Sequence, residues 1–170
     1  MDRKVSELLN DQINKEFYSA YLYLDIANFY SDKGLDGFAN WYEIQAREEQ
    51  DHAMLIYQYL HNNNQKVTLE AIAKPDKAFS TLMDPLQVAY EHEQYVTALI
   101  NAIYGAAQSA NDFRTVQFLD WFVKEQGEEE KIPPTSSPRW SCSAATPKHS
   151  TCSTASCRHA FTPLPPLPCK

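Results

Sequence analysis

The stretch Arg47-Glu48-Glu49-Gln50-Asp51-His52 decides how this chain is read. It lies in a run with helical periodicity, whose stripe passes through Phe38, Trp41, Tyr42, Gln45, Glu49, His52, Ile56 and Tyr59. Residues three apart share one helix face, so Glu49 and His52 can reach a single bound ion. A hard carboxylate oxygen beside a borderline imidazole nitrogen suits iron, manganese or zinc better than calcium or magnesium. A lone Glu-x-x-His is more often part of a solvated face. This one carries weight because three other segments each place a carboxylate within an apolar stripe.

The first of these precedes it. Val5, Leu8, Leu9, Ile13, Phe17, Ala20, Leu24 and Ala27 predict one long amphipathic helix from Val5 to about Asp32, with Glu16 on its stripe. Ser31-Asp32-Lys33-Gly34 ends it with a glycine stop, and Asp36-Gly37 opens the second helix, which runs to Asn62. So short a connection makes the two antiparallel neighbours. Residues 64–84 have no long period and contain Pro75, so they read as a connection. A loop of that length has a use in a four-helix bundle, where it crosses the bundle and resets the direction of the third helix. Asp84 is the expected N-cap of that helix, with Pro85 at its first position. Its stripe is Leu86, Ala89, Tyr90, Glu93, Val96, Thr97, Ile100 and Ile103, and Asn111-Asp112 turns the chain again. The fourth helix carries Val116, Leu119, Phe122 and Val123, then Gln126 and Glu129. Glu16, Glu49 and Glu93 fall well inside their helices, and Gln126 and Glu129 lie at a matching level on the fourth. Unpartnered buried carboxylates each cost several kcal/mol or stay protonated. A divalent pair removes that cost, because four Glu and one His can bridge and neutralise two ions.

Composition narrows the class. The formal net charge is −7, and there is no basic cluster, which argues against nucleic acid. No apolar run approaches the ~20 residues of a membrane span. Met1-Asp2-Arg3-Lys4 lacks an apolar signal core, so the expected location is the cytoplasm. The average hides a break at Lys131. All 22 acidic residues lie in 1–131, with 11 of the 15 basic ones, for a net of 11 − 22 = −11. Residues 132–170 hold no Asp, Glu or Gly, but all 4 Cys and eight of the 10 Pro.

Across residues 1–131 the sequence resembles the bacterial-type non-haem ferritins. The matching pieces are Asn14-Lys15-Glu16-Phe17-Tyr18-Ser19, Arg47-Glu48-Glu49-Gln50-Asp51-His52, Glu91-His92-Glu93-Gln94 and Trp121-Phe122-Val123-Lys124-Glu125-Gln126-Gly127-Glu128-Glu129-Glu130. The resemblance implies an all-α, ferritin-like four-helix bundle with one long crossover. It implies a di-iron ferroxidase centre, with Glu16, Glu49 and His52 at the first iron and Glu49 bridging. Glu93 and Glu129 would hold the second iron, with Gln126 beside it. A third iron site would fall on Glu48, Glu125, Glu128 and Glu129. Tyr23 matches the family's tyrosine beside the iron pair; as an ordinary residue it is a core aromatic with a hydrogen-bonded hydroxyl. The implied activity is oxidation of Fe(II) by O₂ or H₂O₂ and deposition of Fe(III) as mineral inside a homo-oligomeric shell of 24 subunits. Related families fit less well. Di-iron oxygenases and bacterioferritins repeat Glu-x-x-His on a second helix, where this chain has Gln126-x-x-Glu129. The haem-ligating Met of bacterioferritins is replaced by Gln50, so no haem is expected, and the Cys-x-x-Cys iron domain of rubrerythrins is missing.

The remaining residues depart from that family, which continues the fourth helix and adds a short fifth. Ile132-Pro133-Pro134 should break the fourth helix near Lys131. Beyond it the sequence reads as an irregular, disordered Pro/Ser/Thr/Cys tail. Cys142, Cys152, Cys157 and Cys169 have neither zinc nor redox spacing and read as incidental thiols. His149 and His159 lack a partnering motif. So abrupt a compositional change suggests a reading-frame shift. A short fourth helix should expose apolar surface at the far end of the bundle, weaken the second iron site through fraying at Glu129, and impair assembly. The competing functional class is a non-catalytic bundle, or an assembly-defective variant, acting as an interaction protein.

Overall fold

A computed structural model describes residues 1–131; the expectations for the tail, its four Cys, His149 and His159 lie outside the described residues. Four helices make up the fold: α1 (Arg3–Asp32), α2 (Asp36–Asn62), α3 (Asp84–Ser109) and α4 (Phe113–Glu129). No helix among the described residues is long and apolar enough to cross a membrane.

Helix ends follow local chemistry. Asp2 caps α1, its side chain accepting from the backbone N–H groups of Lys4 and Val5. Three helices stop in the same way, with a left-handed residue just past the cap: Gly34 (φ 70°), Asn64 (φ 54°) and Asn111 (φ 55°). At each, paired backbone bonds run back into the last turn. Gly34 N–H donates to Ser31 O and Leu35 N–H to Tyr30 O; Gln65 and Asp112 N–H reach Leu60 and Ala107 O in the equivalent places. Gly and Asn are the residues that enter this conformation most cheaply.

The start of α3 differs from expectation. Asp84 is its first residue, not its cap, and its carboxylate turns back to accept from Ser80 N–H, Thr81 N–H and the Thr81 hydroxyl. It secures the end of the crossover and leaves the helix without a side-chain cap. Two residues assigned to stripes also face outward: Leu24 and Val123 are exposed. The inward positions are Leu22, Tyr23 and Ile26 on α1, and Leu119, Phe122, Gln126 and Glu129 on α4. At ~100° per residue, a position at the edge of a stripe turns either way.

The crossover, residues 63–83, runs back along α1. Asn10 clasps it with two bonds, donating to Thr68 O and accepting from Thr68 N–H, while Asn14 donates to Glu70 O and Ala71 O. Near the other end of α1, Tyr30 donates its hydroxyl to Leu82 O. The chain therefore re-enters at the α1 C-terminal end, and α3 runs antiparallel to α1.

The core is in two pieces. One unites Val5, Leu9 and Ile13 with Ile56 and Leu60, Ile100 and Ile103, and Leu119 and Phe122. The other unites Leu22, Tyr23, Ile26 and Tyr30 with Tyr42, Ala46, Leu86 and Ala89. Each fully buried Leu or Ile contributes ~1.5–3 kcal/mol. All four helices build the first piece, but α4 contributes nothing to the second, because it ends at Glu129. At ~1.5 Å per residue its 17 residues span about 25 Å, against about 40 Å for the 27 of α2. Between the pieces lies a buried polar layer.

Candidate metal centre

Every helix contributes to that layer. Glu16, Glu49, His52, Glu93, Gln126 and Glu129 are all buried, as are Gln12, Ser19 and Gln45. Each replaces an apolar residue on the inward stripe, so the packing that buries the stripe carries the polar group in with it.

Glu16, Glu49 and His52 form the tightest group, with one ligand-capable atom from each lying within 4.8 Å of the others. His52 Nδ1 stands 3.4 Å from Glu49 Oε2. Glu16 Oε1 accepts from Gln12 Nε2 at 2.9 Å, while its Oε2 is buried and receives no hydrogen bond from the described residues. A buried carboxylate oxygen without a donor is costly. It is also the atom a cation would use. Burial, reinforced by the charge of Glu49, pushes the Glu16 carboxyl well above the usual range. For His52, burial opposes the charged form, but the hydrogen bond and charge of Glu49, with Glu16 and Glu129, win and raise it to about 10. Cation binding here must displace that proton.

Glu93 and Glu129 face this group from α3 and α4. Glu93 Oε2 accepts from Gln126 Nε2 at 3.1 Å, and Glu93 Oε1 accepts from the Tyr23 hydroxyl. Gln126 Nε2 also lies 3.3 Å from Thr97 Oγ1. Burial lifts the Glu93 carboxyl to about 7 despite the opposing Gln126 bond. Glu129 Oε2 accepts from Gln45 Nε2 at 2.9 Å. Its carboxyl is pushed well up by burial first, then by the charges of Glu93 and Glu49. Glu129 occupies the last turn of α4, as expected, and its side chain there is buried and bonded.

Of the residues assigned to a third site, Glu48 is half-buried and feels the charges of Glu49 and Glu125. Burial leads in raising its carboxyl. Glu125 is half-buried and Glu128 is exposed. Glu48 and Glu125 are thus close enough to interact.

Sequence reasoning singled out Gln126 but passed over Gln12 and gave Gln45 no role beyond its place on the stripe. Gln12, Gln45 and Gln126 each donate to one carboxylate, Glu16, Glu129 and Glu93 respectively. Gln12 and Gln45 lie one turn before Glu16 and Glu49, and that spacing was the available signal. His92 was also unassigned; its Nε2 is 2.8 Å from Ser19 Oγ, and its ring meets Tyr23 edge-on. Burial lowers its basicity, against the opposing charge of Glu49.

Chemically, the layer is an acidic, buried cluster of hard donors with one imidazole. Its donors suit a borderline-to-hard cation, which Glu16, Glu49 and His52 could hold together. Comparison with known proteins agrees. The ferritin-like domain family matches residues 6–132, ending where the composition changes. The bacterial non-heme ferritin of Campylobacter jejuni is 38% identical over 132 residues, covering 78% of this chain and 79% of its own. Among solved structures, an open-pore ferritin from the hyperthermophilic archaeon Archaeoglobus fulgidus superposes with a TM-score of 0.75 at 40% identity, covering 76% of this chain and 80% of that one. The ferritin of Chlorobium tepidum gives a TM-score of 0.75 at 32% identity, covering 78% and 80%.

Proposed function

The chain belongs to the ferritin family and stores iron, and from that premise we propose that it loads the iron as a ferroxidase, at the polar layer between its two core pieces. The observation that carries this reading is the convergence of Glu16, Glu49 and His52 within 4.8 Å, with Glu16 Oε2 left without a donor. Fe(II) is the substrate. Glu16, Glu49 and His52 take the first ion, and Glu49 is placed to share itself with a second held by Glu93 and Glu129. Gln126 and Tyr23 orient Glu93 from its two oxygens. Each Fe(II) gives up one electron. The pair reduces O₂ with two protons to H₂O₂, or H₂O₂ with two protons to two waters.

The protein's part is charge and geometry. Carboxylates held in a low-dielectric layer favour the more highly charged Fe(III) over Fe(II), which drives the oxidation. Neutral amides hold those carboxylates in place without cancelling any of the charge. The two sites differ in readiness: Glu16 offers a buried oxygen with no donor, while both oxygens of Glu93 and one of Glu129 already accept bonds that must be shared or exchanged. The first site therefore fills before the second. Glu48, Glu125 and Glu128 offer a third, more exposed position next to Glu129, suited to iron in transit. We further assign the chain to the cytoplasm and to a homo-oligomeric shell, a 24-subunit one by family.

Stopped-flow absorbance after mixing Fe(II) with aerated protein tests this. Glu49→Ala should lower the rapid phase at least tenfold with the helical signal retained, since it removes the shared ligand. Replacing Glu48, Glu125 and Glu128 together should leave that phase fast and change the oxygen consumed per iron. A Glu49→Ala protein that oxidises iron at the original rate would overturn the assignment of the site, and an original chain without a rapid phase would favour the non-catalytic bundle instead.

A further inference from the structure

Helices α2 and α4 keep their distance: among the described residues, no Cα of one comes within 8 Å of a Cα of the other. Side chains alone span the gap, and they do so as a ladder. Arg114 Nη1 donates to Asn63 Oδ1, Tyr59 bonds Thr115 and stacks on Phe118, and His52 meets the rings of Trp121 and Phe122. The last rung is Gln45 to Glu129. Every other rung lies earlier on α4, where a large apolar core also holds the helix. Glu129 is the final residue of α4, and the second core piece beyond it contains no α4 residue.

From this placement we propose that Gln45 is a positioning residue of the iron centre, fixing Glu129 at the level of Glu93 so that the second iron position exists at all. The proposal rests on the reading of Glu129 as an iron ligand. Four observations carry it. Gln45 is only 7% exposed, so its amide is committed to the interior. Its Nε2 reaches Glu129 Oε2 at 2.9 Å across 84 residues of sequence. The bond occupies one oxygen and leaves Oε1 of Glu129 for a cation. Finally, the end of a helix lacks a following turn to hold it, so a side-chain anchor there controls orientation more than one in mid-helix does.

An amide suits the task better than a cation. A Lys or Arg at position 45 would neutralise Glu129 and repel iron. A Gln favours the ionised, ligand-competent carboxylate through one donated bond and adds no charge. Loss of such an outer-shell partner typically costs 10–100-fold in metal affinity.

Co(II), which stays divalent in air at this kind of site, is the probe. Titrating the full chain with Co(II) by calorimetry and visible absorbance should resolve a tighter and a weaker step. Gln45→Met keeps the volume and removes the donor, and Gln45→Ala serves as a second variant should the first fail to fold. Either should weaken the weaker step tenfold or more, leave the tighter step within about twofold, and leave the thermal midpoint within a few degrees. Glu129→Gln is titrated alongside. If Glu129→Gln removes the weaker step while both Gln45 variants titrate like the original chain, Gln45 does not position the ligand. If the Gln45 variants weaken both steps together with the thermal midpoint, Gln45 is a packing residue and the proposal is overturned. If Glu129→Gln itself leaves both steps intact, the fault lies in the underlying assignment of Glu129.

Discussion

At the scale of single residues, the layer sets charge against burial, and iron-free protein should record the conflict. Glu93 has its carboxyl lifted to about 7 by burial, from 4.5. A group whose folded value is raised stabilises fully below its unfolded value, and the contribution is lost as pH climbs through the folded one. Iron-free protein should therefore lose a few kcal/mol between about pH 5 and pH 8, with Glu93 responsible for part. His52, raised from 6.5 to about 10, adds a loss of the same sign at higher pH. Glu93→Gln is neutral throughout, so its urea midpoints in chelator should fall less over that interval. An identical fall in the variant would remove Glu93 from the account. This chemistry was legible in sequence where a charge interrupts an apolar stripe, as Glu16, Glu49 and Glu93 do. It was illegible at Gln12 and Gln45. An amide on a stripe is unremarkable until its partner is known, and Gln45 meets its partner 84 positions away.

Whole elements were easier to read, because their ends obey local rules. The stops at Gly34, Asn64 and Asn111 need one residue of left-handed backbone each, and sequence supplies the two types that adopt it. Less visible was the rotation of each helix about its axis, as Leu24 and Val123 illustrate: hydrophobic identity alone does not say which side of a stripe's edge faces in. The start of α3 was misread because Asp84 had two backbone partners to choose between, and the preceding turn won. Gly34 gives the cleanest test at this scale. An added methyl group would meet nothing within 4 Å, so Gly34→Ala probes backbone conformation alone. It should destabilise by about 1 kcal/mol in urea denaturation. Asn111→Gly, which relieves the same strain, should be neutral or slightly stabilising. A Gly34→Ala protein as stable as the original would mean that the turn relaxes out of its left-handed form.

For the molecule as a whole, the governing asymmetry is that four helices pack one half of the bundle and α4 stops short of the other. At that end, where apolar surface is expected to open, Tyr23, Tyr30 and Tyr42 are fully buried, whereas Phe29, Phe38, Trp41 and Phe79 are only partly covered. We expect assembly to be impaired, since α4 contributes no described surface beyond Glu129 for neighbouring subunits. Light scattering at micromolar concentration should give a mass below that of a 24-subunit shell, and a stable 24-subunit particle would refute this. The split core has a further consequence, for cooperativity. A layer of buried polar groups supplies little apolar contact between the two halves, so without metal each half can open on its own. Amide hydrogen exchange should then give two protection levels, one for residues around Ile56 and Ile100 and a lower one around Tyr42 and Ala89. Divalent metal, gripping all four helices at once, should merge them into a single level: the cargo would act as the rivet of the vessel that carries it.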